Sequence, residues 1–462
     1  MVLRVFRHFV PVSIICLALS DSLLVFLAFR LIFVDDRFPS LRLADALSSP
    51  SLTFSVMIGI GALVSGLYDT KSFLTYRSMV IQILLSLFFT ILILAVGSVV
   101  FVNWAAPLDL FWEVQKVTFT WLVCILITRA VFITMADLDA FKRRIMVLGN
   151  GEMAERIGAL AANRRSRVVP VLYLDDKKLA QAIKEDYRPD ALAMNSVHRH
   201  AREFQVSEII IATEERGLPL DDLMLCRRAG IKITQYVDFI ERETNSIDVN
   251  AVQPGWFLFA DGFKNSSWRK FWKRITDVVL SLILLLATLP LMLFTCVLIA
   301  LESSGPVLLR QERIGLAGRP FVLLKFRSMS ADAEKDGLAR WASCGDTRIT
   351  RVGKFIRKFR IDELPQLINV LRGDMSFVGP RPERPVFVSE LTQKIPFYTE
   401  RHWVKPGITG WAQIQYQYGA SVEDARIKLS YDLYYVKNHG LFLDLLIVLQ
   451  TVRVILWADG AR

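Results

Sequence analysis

From Val278 to Leu301 the chain runs 24 residues without a charge, long enough to cross the ~30 Å of a bilayer's hydrocarbon as a helix. Both flanks are basic: Arg269, Lys270, Lys273 and Arg274 precede the run, and Arg310, Arg313, Arg319, Lys325 and Arg327 follow it. Positive charge marks the cytoplasmic end of a membrane segment, so here both ends ask for the same side. Pro290, at the midpoint, removes one helix hydrogen bond and clashes with the preceding turn, while Thr288 can satisfy part of the freed backbone. The pattern predicts a re-entrant helix-break-helix over about 274–302 that dips into one leaflet and returns. A plain fifth span is the alternative.

Four earlier apolar runs, about Phe9 to Val34, Ser51 to Tyr68, Met79 to Val102 and Phe111 to Met135, are each near the ~20 residues of a spanning helix. Arg4 and Arg7, Lys71 and Arg77, and Lys142 to Arg144 place alternate ends in the cytoplasm. Residues 1–140 are therefore expected to form a bundle of four transmembrane helices, the first a retained anchor because no Ala-x-Ala cleavage site follows it. Asp21, within the first span, is expected to hydrogen-bond a neighbouring helix, with a functional role as the alternative. The net charge of +11 suits anionic lipid or phosphorylated substrates. It does not indicate nucleic acid, since no recognition helix or stacking platform accompanies the cations. Five cysteines scattered without metal spacing read as small buried hydrophobes.

From Arg144 the pattern turns to α/β. RIMVLG leads into Gly149-Asn150-Gly151 and Ala154, and VVPVLYLDD, SEIIIAT and AGIKITQYV follow as further strand-like runs, predicting a Rossmann-like domain over 141–264. GxGxxA after a strand is the dinucleotide-fold fingerprint, with Gly149, Gly151 and Ala154 as candidate nucleotide contacts and Asp175 or Asp176 near a ribose. The same glycines serve any tight strand-to-helix turn, with no ligand involved.

The last section, 265–462, carries the stretch RIDELPQL. Leu364, Leu367, Ile368 and Leu371 fall on one helical face, Pro365 suits the first turn, and Gly373 can end the helix. Asp362 and Glu363 then sit at a helix N-terminus behind Arg351, Lys354, Arg357, Lys358 and Arg360. Adjacent residues cannot oppose each other as a glycosidase pair does. One can instead face a phosphate while the other holds Mg²⁺, with the cations keeping both ionised. An ionised Asp is a competent nucleophile toward phosphorus. An Asp ahead of a helix is otherwise a cap stabilising by ~1 kcal/mol. The surroundings favour chemistry: the turn Gly379-Pro380-Arg381-Pro382-Glu383 presents one arginine, and Lys325-Phe326-Arg327 adds two cations, as phosphoryl transfer requires.

KRITD with its Pro290-interrupted apolar run, RIGLAGRPFVLLKFRSM, DTRITRVGKFIRKFRIDELPQLINVLRGDMSFVGPRPE and RHWVKPGITGWAQIQY together resemble the bacterial sugar transferase family, the monotopic polyprenyl-phosphate hexose-1-phosphate transferases. The resemblance is near-continuous from Lys270 onward and looser over the spans and GxGxxA domain, which are similar to long-form members. It implies an α-rich catalytic domain, a UDP-sugar donor of glucose or galactose type, undecaprenyl phosphate as acceptor, and release of UMP. It implies further that Asp362 carries the sugar phosphate covalently, that Glu363 ligates Mg²⁺, and that Arg357 and Arg381 handle phosphate, with Lys325, Arg327 and Asp374 as site residues by motif position. Where members often have Ser before the proline, Leu289 stands here. The implied setting is the bacterial inner membrane, with the catalytic domain cytoplasmic, starting exopolysaccharide, capsule or O-antigen synthesis beside the assembly machinery. A second copy of the chain is an open further partner. The competing reading is a nucleotide-sensing membrane scaffold without transferase activity. The apolar C-terminal LFLDLLIVLQTVRVILW reads as an interfacial helix, with core packing as the alternative.

Overall fold

The computed structural model describes residues 2–5, 8–33, 119–131, 142–149, 151–162, 168–174, 196–213, 218–263, 266–330, 348–416, 419 and 421–457, with a few single positions between 59 and 90. They fall into two compact units, Trp121–Ala251, and Met1–Thr120 with Val252–Arg462. Most of the second and third apolar runs, the rest of the fourth outside its helix over 119–131, and Asp175 and Asp176 lie outside the described residues.

The first apolar run is the helix Val12–Phe33. Asp21 on it is buried and accepts a hydrogen bond from the Tyr68 hydroxyl at 3.1 Å. Ahead of the helix stands an antiparallel hairpin, β1 (Val2–Val5) and β2 (His8–Pro11). It docks on the C-terminal section: His8 packs against Trp411, Tyr434 and Phe442, and Arg4 reaches Asn438. Cys226 is buried as expected, whereas Cys16 is exposed on the apolar helix.

In the unit Trp121–Ala251, β3 (Arg143–Leu148), β4 (Val168–Leu174), β5 (Glu208–Ile211) and β6 (Lys232–Gln235) form a parallel sheet in the order β4-β3-β5-β6. The order reverses between β3 and β5, where the glycine turn follows β3. Gly149 has φ +125°, and a Cβ there would stand 2.4 Å from the Ala212 carbonyl oxygen, so the close approach of two strand ends demands glycine. Ala154 packs under the sheet with Ile145, Val147 and Ile157. Packing thus explains Gly149 and Ala154, and the left-handed φ of +77° explains Gly151.

The C-terminal section is built around the helix Ser267–Glu302, the one described helix long and apolar enough to cross a membrane. The expected break at Pro290 is absent, for the helix is continuous through it. A proline removes only its own N–H from the ladder, and the Thr288 hydroxyl donates to the Leu284 carbonyl at 2.7 Å just before it. Both ends of this helix are tied to neighbouring elements. Arg274 donates to the carbonyls of Val370 and Leu371, and Asp277 accepts from the Ser376 hydroxyl and the Phe377 amide. At the far end Glu302 accepts from the amides of Arg351 and Val352. Between them Met292 and Ile299 pack with Phe326, Ile356 and Ile361. Trp268, Phe271, Ile283, Leu286, Leu293, Phe294 and Leu301 face outward.

After the helix come the hairpin β7 (Leu308–Ile314) and β8 (Pro320–Phe326), and the parallel pair β9 (Ser376–Val378) and β10 (Gly407–Thr409). The terminal helix Leu441–Trp457 buries Leu443 and Ile447, and its Asp444 pairs with Lys273 at 2.8 Å. That side is core; Leu441 and Leu445 are exposed.

Candidate active site

Thr350 caps the helix Arg351–Lys358 by accepting from the Gly353 amide at 2.9 Å, and that helix presses against β8's exit so closely that a Cβ on Gly353 would lie 2.0 Å from the Ser328 carbonyl oxygen. The helix ends where Arg360 takes the left-handed conformation at φ 57°, a non-glycine residue in a disfavoured region costing on the order of 1 kcal/mol. The chain turns there into one 3₁₀ turn, Ile361–Glu363, which buries Ile361 and carries both acids. Pro365 then opens the helix Gln366–Arg372, which Gly373 ends in a left-handed cap, as its sequence predicts. Asn369, fully buried, fixes this helix to β8: its side chain accepts from the Leu324 amide at 3.0 Å and donates to the Val322 carbonyl at 2.7 Å.

Asp362 and Glu363 are both buried, yet their surroundings differ. Arg381 donates through Nη2 to Glu363 Oε1 at 2.9 Å and through Nη1 to Oε2 at 3.4 Å, and Arg360 approaches Oε1 at 3.4 Å. Asp362 Oδ1 is buried without a donor, as Arg357 Nη1 is buried without an acceptor. Burial, and then the charge of Glu363, push the Asp362 carboxyl up to about 6, against Lys325, Arg360 and Arg357. Burial also opposes ionisation of Glu363, but Arg381, Arg360 and Lys325 overcome it and hold that group down at about 2. The sequence predicts that the cations keep both acids ionised, and the structure shows that they do so unequally. Glu363 takes the direct arginine contacts, leaving Asp362 the more basic of the two. Lys325, at the end of β8, is drawn down to about 8 by its own burial and by Arg313.

Of the residues singled out from sequence, Asp362, Glu363, Arg357, Arg381 and Lys325 come together. Arg327 does not join them: its guanidinium donates to the carbonyls of Ser303 and Ser304, closing the end of the long helix. Asp374 lies beyond Gly373 at the opposite end of helix Gln366–Arg372, in reach of Asn369 at 3.4 Å. Pro290 lies within the long helix, and Gly149, Gly151 and Ala154 belong to the other unit. The sequence reading gave no role to Asn369, nor to Arg401 and Asp432, which meet 31 positions apart.

The donor set can be matched against Mg²⁺. Among the described residues no three His, Cys, Asp or Glu side chains cluster as a metal cage. A cation that takes one or two carboxylates plus substrate phosphate oxygens needs less. The donor-free Asp362 Oδ1 and the remaining lone pairs of Glu363 fit such an ion.

A family model described as bacterial sugar transferase matches residues 268–458. The chain is 54% identical over 192 residues to a UDP-N-acetylgalactosamine-undecaprenyl-phosphate N-acetylgalactosaminephosphotransferase of Aeromonas hydrophila, covering 42% of this chain and 45% of that protein. It is 45% identical over 186 residues to a UDP-glucose:undecaprenyl-phosphate glucose-1-phosphate transferase of Xanthomonas campestris pv. campestris, covering 40% of this chain and 38% of that one. A Caulobacter vibrioides protein of the same description is 44% identical over 191 residues, 41% of this chain and 71% of its own length. The chain thus spans less than half the length of the first two curated relatives.

Proposed function

The chain belongs to the bacterial sugar transferase family, and from that premise we propose that it transfers a sugar 1-phosphate from a UDP-sugar to undecaprenyl phosphate through a covalent intermediate on Asp362. One observation carries the reading: a buried carboxylate with a donor-free oxygen and raised basicity, beside the cations Lys325, Arg360 and Arg357.

In the first step an oxygen of ionised Asp362 attacks the sugar-bearing phosphorus, and the bond from that phosphorus to the bridging oxygen breaks. UMP leaves with the bridging oxygen and its electron pair. In the second step a phosphate oxygen of undecaprenyl phosphate attacks the same phosphorus, the acyl phosphate bond breaks, and the Asp362 carboxylate is restored. Attacking and leaving groups are anions in both steps, so no proton transfer is needed. The protein's task is to gather charge without quenching the nucleophile. Arg357 and Lys325 face the transferring phosphate from the Asp362 side. Glu363 holds Arg381 in place as a second phosphate contact. Glu363, with the adjacent Asp362, would hold Mg²⁺, which would supply neutralisation of phosphate charge.

The donor sugar is of the hexose type named for the relatives, glucose or N-acetylgalactosamine, with galactose a third choice. We place the protein in the bacterial inner membrane as a multi-pass chain with this site cytoplasmic, opening the synthesis of a surface polysaccharide. We read the long helix as entering and leaving by the same face through a bend at Pro290 rather than a break, supported by the ties of both its ends to one set of elements.

Incubation of the full chain with UDP-glucose, UDP-galactose and UDP-N-acetylgalactosamine, followed by intact-mass spectrometry, tests the proposal. One donor should add its sugar phosphate, hexose or N-acetylhexosamine, and release UMP before any lipid is supplied. UMP formation that strictly requires the lipid would refute the covalent step.

A further inference from the structure

The loop that presents Arg381 contains Pro380 and Pro382, which lack an N–H, so the loop cannot hold itself through its own amides at those positions. Four consecutive carbonyls are instead pinned from outside. Pro380 O accepts from the Gly407 amide at 2.9 Å, Arg381 O from Arg401 Nη2 at 2.8 Å, Pro382 O from Arg313 Nη1 at 3.1 Å, and Glu383 O from the Ile314 amide at 3.0 Å. Three of these donors are backbone amides or a partly exposed arginine; Arg401 is different. It is 5% exposed, donates through Nε and Nη2 to Asp432 Oδ2 at 3.1 and 2.8 Å, and donates through Nη1 to the Tyr398 hydroxyl at 2.8 Å. Asp432 comes from the middle of the helix Val422–Asn438 and is itself buried.

A buried ion pair of this kind adds little net stability over an apolar pair of the same size. What it supplies is direction. Two of the guanidinium's edges are fixed by Asp432 and Tyr398, so the remaining Nη2 donor points at one carbonyl, that of the residue whose side chain grips Glu363. We infer that the Arg401–Asp432 pair is a positioning device for Arg381, fixing the backbone from which that side chain reaches both Glu363 and the substrate phosphate. The inference rests on the proposed transfer only for what Arg381 binds. The chain of contacts, helix Val422–Asn438 to Arg401 to Arg381 to Glu363, stands on geometry.

Arg401→Lys tests it, because lysine keeps the charge beside Asp432 but lacks the planar fork that serves Asp432, Tyr398 and the Arg381 carbonyl together. Misplacing a phosphate-binding group by about 1 Å costs on the order of 100-fold in rate. Arg401→Lys should therefore lower kcat/KM for the UDP-sugar by about 100-fold, together with a lowered unfolding temperature from the hydrogen bonds lost at Tyr398 and the Arg381 carbonyl. Tyr398→Phe, which removes the hydroxyl that fixes the Nη1 edge of Arg401, gives a second and milder route to the same effect. The decisive measurement is a double-mutant cycle with Arg381→Ala, read both as UMP release and as affinity for UDP alone. Once Arg381 is alanine, adding Arg401→Lys should change neither quantity further. Additive losses would overturn the inference, since a pair acting only on folding has no reason to depend on Arg381. If the wild-type protein binds UDP but releases no UMP from any donor, the proposed reaction fails while the UDP-affinity cycle still decides the role of Arg401.

Discussion

Arg381 Nη2 meets Glu363 Oε1 at 2.9 Å, while the acid next to Glu363 in the chain keeps a buried oxygen that no donor reaches. The arginine thereby divides two adjacent carboxylates into a fixed anion and a basic one. Asp362, raised to about 6, must be ionised to attack, so kcat/KM should fall about tenfold per pH unit below about 6. Glu363→Gln removes the like charge beside Asp362 and frees Arg381 from its partner; both changes favour ionised Asp362. The acid limb should move to lower pH even as the rate falls. A pH profile of UMP release in that variant checks the sign, and an upward move would contradict the division of roles.

The same burial gives Asp362 a cost in the folded state. Its folded value of about 6 lies above its ordinary 3.8, so the fold binds its proton more tightly than the unfolded chain does. Stability contributed by this group declines as pH rises through that interval, and the full penalty applies above about 6. Asp362→Asn carries no such penalty. At pH 7.5 it should unfold at higher temperature than wild type, by an amount equivalent to about 1–3 kcal/mol, and the two should converge below pH 4. Thermal unfolding in detergent at both pH values measures this, and the adduct should be missing from the variant's mass spectrum.

How much of this could be read in advance follows from the range of each interaction along the chain. Gly373 after an apolar helical face, and Gly149 between strand and helix, are local signals, and both residues take the backbone conformations they predict. The acidic pair was legible for the same reason, since its cations lie within a dozen residues. What could not be read is the partner choice among those cations. Arg327 looks equivalent to Lys325 on β8, but at the strand's end its side chain meets the carbonyls of Ser303 and Ser304 instead. The pair Arg401 and Asp432 has no local signature at all. The hairpin β1–β2 was missed because Phe9 and Val10 merge into the following apolar run, and because its packing partner Tyr434 is more than four hundred residues away. The break at Pro290 was over-read: one lost amide bends a helix more cheaply than it ends one.

Lys325 supports the ionised form of Asp362 and titrates, at about 8, within a testable range. Lys325→Met should raise the Asp362 value, moving the acid limb to higher pH, and should remove the basic limb expected for wild type near pH 8. A preorganised donor to transition-state charge is worth on the order of 100-fold, which sets the expected rate loss. Full pH profiles of wild type and variant separate these effects. An unchanged basic limb would assign it to another group.

The long helix offers a prediction about topology. Its first turns are fixed to Val370 and Leu371 through Arg274, its last to Arg351 and Val352 through Glu302, and its flank between them packs on Phe326 and Ile356. A segment spanning the bilayer would carry its two ends to opposite aqueous phases, and elements held by both ends would have to stand in both. The basic flanks argue the same way, since each should remain cytoplasmic. In a variant whose five native cysteines are replaced, Ser267→Cys and Ser304→Cys, both at exposed positions flanking the apolar run, report the two ends separately. A membrane-impermeant maleimide should label both in inside-out vesicles and neither in intact spheroplasts. Labelling from opposite sides would make the helix a true span and would place the Asp362 turn, which follows it in the chain, in the compartment without nucleotide sugars.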